Sequence, residues 1–182
     1  MSPVASLFAV GWGVFWLYWL VAAFFMKRGH APRSRDLRIR LAILVLAILL
    51  LRLGVFRNHG VDTDPWREGL GIALFAAGLA FAVWARVHIG RNWGTPMSQK
   101  VDTELVTGGP YRLVRHPIYF GVLLGGIGTA VALSWFWLIA VALAGIYFIY
   151  SATAEERYLT EQFPATYPVY KGSTRMLIPF VF

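Results

Sequence analysis

An all-α, polytopic integral membrane protein with about five transmembrane helices is the fold class this sequence predicts, and three observations carry it. Hydrophobic residues make up 58% of the 182 positions and aromatics 16%, far beyond an ordinary soluble domain of this size. Apolar stretches recur at lengths approaching the roughly 20 residues that cross a bilayer core about 30 Å thick. The basic residues behind the net charge of +8 sit beside those stretches instead of lining a soluble face, which excludes a nucleic-acid surface.

The first stretch, about Val4 to Met26, has no basic residue before it and is too long for a signal core, so it reads as a span. The following loop carries Lys27, Arg28, Arg33, Arg35, Arg38 and Arg40, and the positive-inside rule then places the N-terminus outside. Gly29, Pro32 and Ser34 turn that loop before the second stretch, Leu37 to Phe56. The outer segment Arg57 to Glu68 offsets its two arginines with Asp62, Asp64 and Glu68, and the third stretch runs from Trp66 to His88.

Ile89 to Arg115 is the longest polar segment. Gly90, Asn92, Gly94, Pro96, Gly108, Gly109 and Pro110 bar a continuous helix through it. Trp93, Met97, Leu105, Val106 and Tyr111 give it apolar anchors, so it is expected to be a structured loop. The fourth stretch, Ile118 to Leu133, is short. Pro117 suits its first helical turn and pushes His116 toward an extended conformation at the helix entrance. Gly121, Gly125, Gly126 and Gly128 let another helix or a ligand approach closely, with helix packing the favoured use. The fifth stretch, Ser134 to Thr153, completes a hairpin with the fourth and becomes polar toward Glu155, Glu156 and Arg157. Beyond Arg157, residues Tyr158 to Phe163 can continue as an amphipathic helix until Pro164, and five spans leave the C-terminus in the cytoplasm.

The hairpin brings two polar clusters to one membrane face: Tyr111, Arg112, Arg115, His116 and Tyr119 on one side, Tyr147, Tyr150, Ser151, Glu155 and Glu156 on the other. Adjacent glutamates at a membrane edge need partners, and Arg112 and Arg115 are the nearest candidates by topology. Cations, carboxylates and aromatic faces together suit a zwitterionic ligand whose ammonium meets a glutamate and whose cationic centre meets rings or carbonyls. The competing reading is an arginine–glutamate clasp among ordinary interfacial tyrosines. Absent cysteine and four scattered histidines, His30, His59, His88 and His116, no metal site is expected.

The run Gly109-Pro110-Tyr111-Arg112 with Arg115-His116-Pro117-Ile118-Tyr119-Phe120-Gly121, then Glu155-Glu156, Phe163, Tyr167, Tyr170 and Ile178-Pro179, resembles the isoprenylcysteine carboxyl methyltransferase family. The wider superfamily takes in phospholipid methyltransferases. The resemblance covers roughly Gly90 to Pro179 and implies a single domain over residues 1–182, with N-terminal spans to residue 89 and a cofactor-binding half from residue 90. It implies S-adenosyl-L-methionine bound at the cytoplasmic face by Thr103, Glu104, Leu105, Val106, Tyr111, His116, Pro117, Ile118, Tyr119 and Glu155. Arg115 and Glu156 match motif positions read as supporting and catalytic. In the eukaryotic enzymes an arginine that faces the substrate stands four residues before the cofactor-binding glutamate, where this chain has Ser151. Gly90-Arg91-Asn92-Trp93 looks more like bacterial members, hence an inner-membrane location.

The resemblance thus implies methyl transfer to a lipophilic or prenylated small molecule or peptide meeting membrane lipid, with carboxylate, amine and thiol acceptors all open. A carboxylate would need no general base, whereas an amine or thiol would have to lose a proton, with Glu156 or His116 as acceptors. Phospholipid amine methylation, nicotinamide-dependent reduction and a non-catalytic membrane scaffold are the alternatives. An ion path lacks support, since Arg52, toward the outer end of the second stretch, is the single charge placed deep in a span.

Overall fold

The computed structural model describes residues 2–24, 64–93 and 104–182, with five helical positions (38, 41, 42, 45 and 49) between the first two segments. Apart from those five positions, the second stretch lies outside the described residues, as do His30, His59, Arg52 and Thr103. Most of the described residues are helical: α1 (Pro3–Ala23), α2 (Pro65–Ile89), α3 (Pro117–Ala132), α4 (Trp137–Gln162) and the short α5 (Tyr167–Ser173). Two 3-10 turns, Gly90–Asn92 and Gly109–Arg112, flank the loop before α3. Helices α1, α2 and α4 are long and apolar enough to cross a membrane, and the protein is an integral membrane protein. α3, at 16 residues, is the shorter apolar helix expected for the fourth stretch.

Local chemistry sets the ends. α1, α2, α3 and α5 each begin with proline in the first turn, where the missing N–H costs nothing. Ser2 caps α1 by accepting the Ala5 N–H at 3.1 Å. α2 stops at Gly90, which adopts φ 55°, a conformation open to glycine at little cost. Arg86, 5% exposed, closes the other end of α1. Its Nη2 donates to Ala22 O at 3.0 Å, its Nη1 to Gly90 O at 2.7 Å, and its guanidinium lies 4.6 Å from the Trp93 ring centroid. A charge near a membrane edge is thereby matched to carbonyls that helix ends leave unpaired.

α2 and α3 pack backbone to backbone. A Cβ placed on Gly121 would sit 2.6 Å from Gly78 O, and one on Gly71 would sit 2.5 Å from the Ala132 Cβ. Gly125 and Gly128 meet Gly78 and Phe75 in the same seam. The glycine pattern of the fourth stretch is therefore used for helix packing. α4 runs unbroken from the hairpin through Glu155 and Glu156 to Gln162, absorbing the amphipathic continuation into one helix about 39 Å long. The tail then returns beside α3: Val114 bridges to Arg175, while the backbone N–H groups of Arg115 and His116 donate to Arg175 O and Met176 O at 2.8 and 3.0 Å.

Candidate functional site

The proline that starts α3 fixes His116 at φ −123° and ψ 62°, outside the helix and held by the tail. From there the imidazole faces α4. Its Nδ1 lies 3.5 Å from Glu155 Oε2 and its Nε2 3.5 Å from Glu156 Oε1. The ring stacks on Tyr119 (5.4 Å between centroids, 6° between planes), and Tyr119 stacks on Phe148 (4.4 Å, 5°). The Tyr119 hydroxyl donates to Glu155 Oε1 at 2.6 Å. Three aromatic planes and one carboxylate thus form a continuous wall. Burial disfavours the charged imidazole of His116, but the hydrogen-bonding and charge of both carboxylates outweigh it and raise its pKa.

A second layer lies behind this wall. Arg115 Nε donates to Glu156 Oε1 at 2.6 Å, and its Nη1 reaches Lys171 O at 3.2 Å and Thr174 O. Lys171 Nζ stands 2.7 Å from Glu156 Oε2. The Glu156 side chain is 2% exposed, so two cations and a histidine compensate its burial. The arginine–glutamate pairing expected from topology is therefore made by Arg115 and Glu156, while Arg112 is exposed.

A cavity of about 390 Å³ opens in front of the wall, within the range of sites that enclose a cofactor-sized molecule. Of the residues expected from sequence, Glu104, Leu105, Val106, Tyr111, Arg115, His116, Pro117, Ile118, Tyr119 and Glu155 all line it. Glu156 and Ser151 do not: Glu156 sits in the layer behind, and Ser151 is fully buried with its hydroxyl unpartnered among the described residues. Tyr170 donates from its hydroxyl to Tyr111 O at 2.6 Å, and burial pushes the Tyr111 phenol far up, so that ring is a neutral wall.

Sequence reasoning missed the contributions of Trp16 and Trp19 from α1, Trp93 after α2, Phe148 from α4 and Tyr167 from the tail, all of which line the cavity. Trp93 carried a signal as an apolar anchor in a polar loop. The α1 tryptophans are indistinguishable in sequence from interfacial ones. Chemically the cavity offers carboxylates for an ammonium, aromatic faces for a soft cation, and the edge of the buried His116 ring.

The family model described as phospholipid methyltransferase matches residues 66–166, from the start of α2 to the turn after α4. A protein-S-isoprenylcysteine O-methyltransferase A of Arabidopsis thaliana is 29% identical over 76% of this chain and 72% of its own length. A methanethiol S-methyltransferase of a Pseudomonas species is 30% identical over 82% of this chain and 61% of its own. A nickel-cobalt-cadmium resistance protein of Alcaligenes xylosoxydans is 28% identical over 70% of this chain, which spans 59% of that relative's length.

Proposed function

The chain belongs to the phospholipid methyltransferase family, and from that premise we propose that it is a membrane methyltransferase using S-adenosyl-L-methionine as methyl donor and acting on a lipophilic acceptor. The observation that carries this reading is the convergence of His116, Tyr119 and Glu155 on one wall of a cofactor-sized cavity. The fit is chemical: the partly exposed Glu155 carboxylate suits the ammonium of the donor, and the aromatic stack suits its sulfonium. Bound there, the donor would supply an activated methyl group.

The chain's own residues supply position and a dry surrounding. Glu155, oriented by the Tyr119 hydroxyl, would hold an ammonium. Leu105, Val106, Ile118 and Tyr111 would exclude water, which matters because displacement between an anionic acceptor and a cationic donor is faster where charge is poorly solvated. Glu156 and Arg115 would act as positioning residues, since each is committed to the other and to the tail. If the acceptor must lose a proton, His116 lines the cavity and Glu156 does not, but His116 can take that proton only at a pH above its raised pKa. With relatives named for O-methylation of isoprenylcysteine and S-methylation of methanethiol, both oxygen and sulfur acceptors fit this scheme. We place the site at the cytoplasmic face of an inner membrane, in keeping with the basic loops.

Calorimetric titration of purified protein with S-adenosyl-L-methionine and its demethylated product tests the proposal. Binding by the wild type that is lost on His116→Ala supports it; a folded wild type that binds neither compound in detergent or in lipid overturns it.

A further inference from the structure

We infer that the turn at the end of the tail, Ile178 to Phe182, is a membrane anchor whose apolar side chains insert into the lipid interface on the face where α3 begins. Phe180 is 86% exposed and Val181 74%, and Ile178 and Phe182 are exposed as well. Four large apolar side chains within five residues form a contiguous patch, and such patches mark contact surfaces. The anchor goes beyond the methyl-transfer reading and does not depend on it.

Packing fixes the depth. Leu177, which precedes the turn and is 3% exposed, clusters with Tyr119 of α3 and Ala152 of α4, and Ile118, Phe148 and Met176 pack around them. Ile118 and Tyr119 open the apolar run of α3, and Ala152 lies near the end of the apolar run of α4. Leu177 is therefore held at the edge of the hydrocarbon core, and the turn that follows it lies at the depth of the lipid interface. Arg112 stands two residues before Val114, and Arg175 is the bridge partner of Val114; both arginines are exposed. Beside an apolar turn at this depth, their guanidinium groups complement the phosphate layer of the bilayer.

The backbone of the turn suits that layer. The Leu177 and Ile178 N–H groups donate to Phe182 O at 2.8 and 2.6 Å, and those of Val181 and Phe182 donate to Ile178 O at 3.1 Å each. Pro179 has no N–H to satisfy. These donors are thus paired inside the turn, as a segment that leaves water requires. Phe180 adopts φ 66°, in the left-handed region that disfavours a bulky side chain. With its ring almost fully exposed, packing within the described residues does not offset that strain. Insertion of the ring among lipids does, since aromatic and aliphatic side chains at the headgroup boundary bind by the apolar area they bury.

The test uses the whole chain in vesicles of phosphatidylcholine and phosphatidylglycerol. The chain lacks cysteine, so Val181→Cys carries a single nitroxide label beside an intact Phe180. Gly172→Cys, at an exposed position in α5, supplies the aqueous reference. Power-saturation spectroscopy compares collisions with oxygen, which concentrates in lipid, and with a neutral nickel chelate, which stays in water. The oxygen-to-nickel ratio should be about fivefold or more higher at position 181 than at position 172. Asparagine tolerates the left-handed conformation, so Phe180→Asn keeps the turn and removes the ring. Added to Val181→Cys, it should bring the ratio most of the way down to the reference. Equal ratios at the two positions without that change overturn the inference, and so does a ratio that Phe180→Asn leaves unmoved. Shielding of position 181 from both reagents also overturns it, because a second copy or another segment of the chain would then cover the turn.

Discussion

Glu155 and Glu156 are neighbours in sequence with opposite duties, and the difference comes from which side of α4 each leaves. Glu155 faces the cavity and accepts the Tyr119 hydroxyl, so Glu155→Gln should weaken S-adenosyl-L-methionine binding by roughly ten- to a hundredfold, the worth of one charge-assisted hydrogen bond. Tyr119→Phe keeps the stack on Phe148 and should cost about tenfold or less. Calorimetry reads both, and equal losses would show that the Tyr119 hydroxyl, not the charge of Glu155, sets the affinity. Glu156→Ala should instead destabilise the fold by about 3–5 kcal/mol, because it strands the buried Arg115. Lys171→Ala, at an ion pair half open to solvent, should cost about 1 kcal/mol or less; thermal unfolding in detergent separates the two. His116 adds a pH dependence. Its folded pKa is raised above the unfolded value of about 6.5, so the stabilisation from its charged form is complete below that value and is lost as pH rises through the folded pKa. The melting-temperature gap between wild type and His116→Gln should therefore shrink from pH 6 to pH 9. A gap that widens with pH would mean that His116 is held neutral.

Between elements, the seam of α2 and α3 decides where His116 sits, since α3 carries it at its entrance. Gly78 and Gly121 leave no room for side chains, each meeting the other's backbone. Gly78→Val should cost about 1–3 kcal/mol by overpacking, and should weaken cofactor binding as well, because any shift of α3 moves Pro117 and Ile118 in the cavity wall. Gly69→Val, on the same helix where a Cβ meets nothing, should leave binding unchanged; a matching loss there would point to a general intolerance of α2. Much of this level is legible in sequence. Glycine spacing marks the close seam, Pro117 marks the start of α3, and the return of Glu155 toward His116 follows from hairpin topology alone. What is not legible is the tail's hold on Arg115. Nothing in Lys171, Thr174 or Arg175 as residue types announces that this segment folds back to hold Arg115, because the contact is made through backbone carbonyls that every sequence possesses. Arg86 hides for a similar reason: its partners are the Ala22 and Gly90 carbonyls and the face of Trp93.

At the scale of the molecule, the site is composite. α1, the end of α2, the segment from Glu104 to Val106, α3, α4 and the tail all contribute to the cavity, so α1 and α2 are walls as well as anchors. Such a composite works only if the entrance of α3, the inner end of α4 and α5 lie on one side of the membrane and the start of α2 on the other. The orientation proposed above from the basic loops would put the first group in the cytoplasm. The chain lacks cysteine, so single introduced thiols report topology without background. Gly69, at the beginning of α2, and Gly172, in α5, are exposed and have open space where a Cβ would stand, which makes both positions tolerant. Gly69→Cys should react with a membrane-impermeant maleimide in intact cells, and Gly172→Cys only after permeabilisation. The reverse pattern would put the cavity on the outer face, away from the cytoplasmic supply of S-adenosyl-L-methionine, and would undo the proposed chemistry. Labelling of both from one side would break the hairpin topology on which the site depends.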